Sequence, residues 1–316
     1  MTYLKRGVSV VLFLAGLFVL LQGFSYLFQP KNNMKEFGME NVCANGILGE
    51  KENTIDVLVL GDSESYSSIT PMQIWKETGY TTYVCGTGGQ PLDYTVTMLH
   101  RAFEHQTPKI VILETNAIFR KVSPAKAAIT KLSTYLPVFQ YHNRWKSLNW
   151  NDFTGSIKFT WTDDYKGYHY DKRTVPSKRN DHMKPTEVVA SIEKLNLQYI
   201  SQIHSFCEEN GAQLIFLSTP STVNWNYKRH NAVQELASQL QCEYIDLNLM
   251  TKEVPIDWKK DTRDKGDHLN HSGAVKVTRY LSQYLQEKQL LIDHREDQAY
   301  AKWNDSLKKY ESIIKK

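Results

Sequence analysis

Two stretches of this chain carry residue types and spacings that suit acyl chemistry. The first is Gly61-Asp62-Ser63, which ends the apolar run Ile55-Asp56-Val57-Leu58-Val59-Leu60 and precedes a helical apolar pattern that begins near Ile69. An apolar run with three valine and isoleucine residues that stops at turn formers and gives way to a helix places the Ser63 hydroxyl where a buried strand becomes a helix. Backbone N–H groups at such a turn face a developing negative charge, and the following helix adds the positive end of its dipole, so the position suits a nucleophile. All three residues also favour turns in their own right, and alone they mark no more than a turn. The second stretch is Asp267-His268-Leu269-Asn270-His271-Ser272-Gly273, with Asp264 four residues before His268. A histidine beside carboxylates has the parts of a general base and of the anion that steadies its imidazolium, although it also reads as a capped helix start among solvated charges. Adjacent side chains on an extended segment point apart, whereas residues four apart meet if the loop curls like a helical turn. Asp264 is then the easier partner, Asp267 serves only in an irregular turn, and a base without a strong acid is the third possibility.

These residues act together only if the fold brings them together. Short apolar runs at 55–60, 80–85, 109–113, 213–217 and 243–247 read as buried strands, and helical patterns at 71–78, 91–105, 185–210, 231–240 and 272–289 alternate with them. Gly211 stands where the 185–210 helix needs a left-handed cap. Strands that are apolar throughout and alternate with helices predict an α/β domain with a mostly parallel five-stranded sheet covered on both faces. Functional groups in such sheets gather at the carboxyl ends of the strands. Ser63, the turn Gly86-Thr87-Gly88-Gly89 and Asn116 all fall at that edge, and His268 follows the last strand.

The segment 120–185 breaks the rhythm. It is rich in Tyr, Trp, His and Lys and weakly periodic, as in Phe159-Thr160-Trp161-Thr162-Asp163-Asp164-Tyr165. Such an insertion reads either as a surface for sugar rings or a partner, or as a small satellite core under a long loop.

At 316 residues the chain can bury a core without disulfide staples, and its net charge of +4 is spread over 38 basic and 34 acidic residues, against a dedicated nucleic-acid binder. Cys43, Cys85, Cys207 and Cys242 show no C-x-x-C spacing, and the Asp and His residues at 257–271 lack a recognised ligand spacing, so no metal, nucleotide or other cofactor is expected. Residues 7–28 are almost wholly apolar, long enough to cross a bilayer core of about 30 Å. Lys5, Arg6 and the amino terminus precede that run and favour the N-terminus inside; its end lacks the small-x-small pattern of a cleavage site. The expected organisation is a cytoplasmic stub and membrane anchor at 1–28, a linker at 29–54, a main domain at 55–292 with its insertion at 120–185, and a charged helical tail at 293–316.

Together the blocks resemble the SGNH, or GDSL-like, hydrolase superfamily. Gly61-Asp62-Ser63 matches its nucleophile block, the glycine turn its second block, Glu114-Thr115-Asn116 its Gly-x-Asn block, and Asp267-His268-Leu269-Asn270 its last. The resemblance covers roughly 55–120 and 210–290. It implies a three-layer α/β/α sandwich, flavodoxin-like, with Ser63 as nucleophile, His268 as base, and an oxyanion hole from the Ser63 N–H, a glycine N–H among Gly86, Gly88 and Gly89, and the Asn116 side chain. Two positions depart from the pattern: Glu114 replaces a glycine, and Lys265 stands three residues before the histidine, where the family's acid usually lies. With the anchor, the layout is similar to envelope proteins that work beside membrane-bound O-acyltransferases. The partners so implied are that acyltransferase and an acylated glycan or teichoic-acid-like polymer. The competing expectation is an inactive scaffold of the same fold that binds a glycan or the acyltransferase through 120–185.

Overall fold

A computed structural model describes residues 2–315. The expected apolar runs form strands β1 (Val57–Gly61), β2 (Thr82–Gly86), β3 (Ile110–Glu114), β4 (Gln213–Ser218) and β5 (Glu243–Asp246). The helices are α1 (Thr2–Phe28), α2 (Val42–Asn45), α3 (Ser63–Ser68), α4 (Pro71–Thr78), α5 (Leu92–Phe103), α6 (Pro124–Tyr135), α7 (Val138–Tyr141), α8 (Trp150–Thr154), α9 (Lys194–Glu209), α10 (Tyr227–Leu240), α11 (His271–Lys288) and α12 (Ala301–Ile314). The chain divides into two compact units, Met1–Glu40 with Ser123–Thr160, and Asn41–Val122 with Trp161–Lys316.

The second unit holds the sheet. Its strand order is β2-β1-β3-β4-β5, and every neighbouring pair is parallel. This is the doubly wound arrangement, whose crevice opens outside the carboxyl ends where the winding reverses around β1 and β3. Gly61 pairs with Gly86 in the register, so the Ser63 turn and the glycine turn leave the sheet side by side. Val57, Val59, Ile110, Ile112, Ile215 and Leu217 point to one face, where they form a core with Ile74 of α4 and Val277, Leu281 and Leu285 of α11. The alternate residues Leu58, Leu60, Val111, Leu113 and Phe216 are buried on the other face, which α5 and α9 cover. Each such side chain contributes about 1.5–3 kcal/mol on burial. The three-layer α/β/α sandwich is therefore present.

Several segments differ from expectation because tertiary contacts hold them. Residues 41–54, expected in a linker, fold onto the sheet: Ala44, Ile47 and Leu48 are buried, Tyr83 Oη donates to Cys43 O at 2.8 Å, and Lys166 pairs with Glu50 at 2.7 Å. The helix expected from 185 begins at Lys194, because Asn231 Nδ2 donates to Thr186 O and Val188 O and Lys228 O accepts Ala190 N–H, which holds 186–190 extended along α10. Gly211 does end α9, at φ +69°. The expected insertion divides: 123–160 belongs to the first unit, and 161–185 to the second. In the tail, α12 docks on α4, with Trp303 against Trp75 at 5.4 Å. All four cysteines are free thiols.

In the first unit, Tyr3–Phe28 of α1 is long and apolar enough to cross a membrane. Helices α7 and α8 pack against its C-terminal part, and the buried Arg144 donates to Phe28 O at 2.8 Å, satisfying one of the carbonyls that a helix end leaves open.

The close approach of β2 to the turn that carries Ser63 requires glycine at position 86. A Cβ there would lie 2.2 Å from Ser65 Oγ and 3.0 Å from the Asp62 carbonyl oxygen. Gly86→Ala is expected to lower the free energy of unfolding by about 1–3 kcal/mol, the usual cost of overpacking, as a shift in the urea midpoint. An unchanged midpoint would show that this approach is not tight in solution.

Candidate active site

Three local devices build the Gly61–Ser63 turn. Gly61 holds φ +156°, and a Cβ there would lie 2.6 Å from Glu114 Cβ, so a side chain does not fit. Asp62 caps α3, its Oδ1 accepting the Glu64 N–H at 3.0 Å. Ser65 Oγ turns back to donate to Asp62 O at 2.7 Å. Ser63 is left at the first position of the helix, at the edge of the crevice.

His268 Nε2 lies 2.7 Å from Ser63 Oγ, and its Nδ1 lies 2.6 Å from Asp264 Oδ2. Asp264 Oδ1 also accepts the His268 backbone N–H at 2.6 Å. A carboxylate only accepts, so the partner chemistry assigns the ring proton to Nδ1 and leaves the Nε2 lone pair facing the serine. Asp264 is thus the carboxylate bonded to the imidazole. Asp267 is turned away: its nearer oxygen is 3.7 Å from His268 Nδ1, and Oδ1 accepts from Asn224 Nδ2 at 2.5 Å. The expectation that Asp264 and His268 meet is met by a different device from a helical turn. An antiparallel bridge between Thr262 and Leu269 closes the loop, and Lys265 and Gly266 at its tip both take left-handed φ, +66° and +91°. Lys265, in the position where the resemblance looks for an acid, serves as a turn residue. Burial alone would raise the Asp264 carboxyl, but the hydrogen bonds from the His268 ring and backbone, with the nearby Arg263 charge, outweigh it and hold the group below the usual carboxylate range.

The strap 166–177 clamps this loop. His169 N–H donates to Tyr66 O, Val175 N–H to Thr262 O, Ser177 N–H to Trp258 O, and Lys265 N–H to Val175 O. Arg263 adds a bond from Nη2 to Ser67 Oγ at 2.8 Å, tying the acid's loop to the nucleophile's helix.

Asn116 reaches the same edge in the short 3-10 turn Thr115–Phe119. Its Nδ2 donates to Asp62 Oδ2 at 2.8 Å, and its Oδ1 accepts from Arg229 Nη1 at 2.8 Å, which fixes the amide's direction. An amide nitrogen carries two protons, so one remains after the bond to Asp62. Glu114 is explained by the same turn, since both its oxygens accept the Asn116 backbone N–H. Of the three glycines, Gly86 is buried beside the nucleophile turn, while Gly88 and Gly89 lie exposed in the turn beyond, with Gly89 at φ +61°.

Sequence reasoning missed Glu64, Asn224, Arg120 and Arg229. Arg120 Nε donates to Asp62 Oδ2 at 2.6 Å, and Asn224 Nδ2 donates to Glu64 Oε1 at 2.7 Å. Glu64 directly follows the serine, the one signal available, but its environment comes from distant segments. Burial, with the charges of Glu114 and Asp62 close by, holds the Glu64 carboxyl well above the usual range against the Asn224 bond. Burial and Asp62 do the same to Glu114. Donor atoms of Glu64, Asp267 and His268 lie within 4.8 Å of one another. They make a poor ligand set for a cation, because both ring nitrogens of His268 are engaged and Glu64 resists ionisation.

No family model matches the sequence, and no curated protein matches it. Among solved structures, an acetyl xylan esterase is similar at 14% identity and a TM-score of 0.40, over 73% of this chain and 100% of that one. A GDSL-like lipase from Bacteroides thetaiotaomicron is similar at 10% identity and a TM-score of 0.38, over 73% and 88%. A lipase/acylhydrolase from Enterococcus faecalis is similar at 10% identity and a TM-score of 0.39, over 74% and 96%. These overlaps are loose, and the strand order, register and side-chain geometry carry the conclusions drawn from the fold.

Two outcomes follow from this geometry. Asp264→Asn is expected to lower kcat on an activated aryl ester by about 10³–10⁴-fold, as for loss of a triad acid, while Asp267→Asn stays within about tenfold of wild type; equal losses would reverse the assignment. A carboxyl whose folded pKa is raised contributes stability that is fully present below its unfolded value, near 4.3, and is lost as pH rises through the folded value. Melting temperatures should therefore fall less steeply with rising pH in Glu64→Gln than in wild type, and parallel profiles would refute the burial of a neutral Glu64.

Proposed function

We propose that the protein is a serine ester enzyme, a member of the class in which Ser63 attacks an O-acyl ester and passes the acyl group to a hydroxyl or to water. The observation that carries this reading is the unbroken chain Asp264–His268–Ser63, with contacts of 2.6 and 2.7 Å. As Ser63 Oγ bonds to the ester carbon, its proton passes to His268 Nε2 and the carbonyl electrons move onto oxygen. Asp264 steadies the imidazolium. The tetrahedral centre then collapses, the bond to the alkoxy oxygen breaks, and that oxygen leaves with the proton from His268, so the acyl group remains on Ser63. A second hydroxyl, from water or a sugar, gives its proton to His268, takes the acyl group and frees the serine. In this reading the oxyanion is held by the Ser63 N–H, by an N–H from the Gly86, Gly88 and Gly89 turn, and by the Asn116 N–H not taken by Asp62, each worth about 3 kcal/mol in the transition state.

Helix α1 supports a setting for this chemistry. We read it as a retained single-pass anchor in a bacterial cell membrane, with the N-terminus inside behind Lys5 and Arg6 and the catalytic domain outside. The substrate class suited to an outward, tethered site is an acylated envelope polysaccharide or teichoic-acid-like polymer. A membrane-bound O-acyltransferase is the partner that would supply or share the acyl group. Whether water or a glycan hydroxyl accepts it separates esterase from transferase.

The test is labelling of the purified protein with a fluorophosphonate, followed by peptide mapping. Modification at Ser63 that is lost in Ser63→Ala and strongly slowed in His268→Ala is the expected result. A folded protein that takes no label would sink the enzymatic reading.

A further inference from the structure

We infer that the α6–α8 segment of the first unit rests on the outer interface of the bilayer, so that the protein lies on the membrane by this face as well as being threaded through it. The inference rests on the reading of α1 as a membrane anchor. Residues 3–20 of α1 are exposed all round, and cover begins only on the last two turns, at Leu21, Ser25, Leu27 and Phe28. Of these, Leu21, Ser25 and Phe28 share one helix face at i, i+4 and i+7. Val138 N–H donates to Ser25 Oγ at 3.3 Å, and Tyr26 Oη donates to Gly155 O at 3.0 Å. With a rise of about 1.5 Å per residue, Leu21 lies roughly 10 Å and Ser25 roughly 4.5 Å inside the end of the apolar run at Phe28. Elements that grip the helix at those levels are carried down to the boundary of headgroups and acyl chains, where amphipathic segments bury their apolar faces.

The exposed side chains of the segment suit that depth. Trp150, Tyr135 and Trp145 are 77%, 70% and 62% exposed, and Phe153 packs beside Trp150 with ring centroids 6.2 Å apart. Tryptophan and tyrosine gather at membrane–water interfaces because one end of each ring is apolar and the other polar. Lys126, Lys131 and Lys146 lie in the same segment, where the single acidic residue, Asp152, is already paired with Arg144 at 2.7 Å. The segment therefore presents aromatic rings and lysines together, the chemistry of a bilayer with anionic headgroups.

The test uses the full chain in nanodiscs of phosphatidylcholine and phosphatidylglycerol, with lipids brominated high on the acyl chain. Tryptophan emission is expected to fall on bromination, and the fall is expected to be lost in the double variant Trp145→Phe, Trp150→Phe. A chain that co-elutes with the discs yet emits equally with and without bromine overturns the inference and leaves the anchor standing; binding of this face to a protein partner would give that result. A chain that fails to enter the discs overturns the anchor, and the inference with it.

Discussion

The buried carboxylate of Asp62 is the constraint around which the site is arranged. One oxygen caps the helix that carries Ser63, and the other receives both the Asn116 amide and the Arg120 guanidinium. A buried charge persists only where it is paired and hydrogen-bonded, and here the groups that pair it belong to the site. Asp62 thus couples the carboxyl ends of β1 and β3: the elbow cannot shift without disturbing the amide beside it. Glu64 and Glu114 crowd the same space, and burial with like charge keeps both well above their usual range. Further negative charge beside Ser63 is held down in this way.

Much of this was legible in the residues. Continuous apolar runs rich in valine, isoleucine and leucine, such as Val57–Leu60 and Ile110–Leu113, have a single sensible reading as strands buried on both faces, and parallel topology then brings their carboxyl ends to one edge. Ser63, Asn116 and His268 could be placed there without coordinates. The choice between Asp264 and Asp267 could not be made, because it depends on two consecutive left-handed residues and a cross-loop bridge that no periodicity encodes. Glu114 looked like a defect in a motif, yet its side chain caps the turn that presents Asn116. Arg229 and Asn224 were invisible for a simpler reason. Their contacts with Asn116 and Glu64 span 113 and 160 residues of chain.

The strap 166–177 shows the same limit at the level of a segment. Its aromatic residues read as a binding surface or a small satellite core, but its main work is done by the backbone, which exchanges hydrogen bonds with the loop of Asp264 and His268 and with the Ser63 helix. Backbone partnerships leave almost no trace in residue type. The strap matters chemically because an acid and a base on a loop are only as well placed as the loop itself.

The separation of 205 residues between Ser63 and His268 has a consequence for the history of each molecule. Contacts so distant in sequence form late, after the entropy of closing long loops has been overcome, and parallel sheets are slow folders for that reason. A growing chain emerges with its serine long before its histidine. Until α11 docks and brings the Asp264 loop to the sheet, Ser63 is an ordinary alcohol with no base beside it. If Ser63 acts as the proposed nucleophile, its base therefore reaches it only once the sheet domain has closed around both ends of the chain.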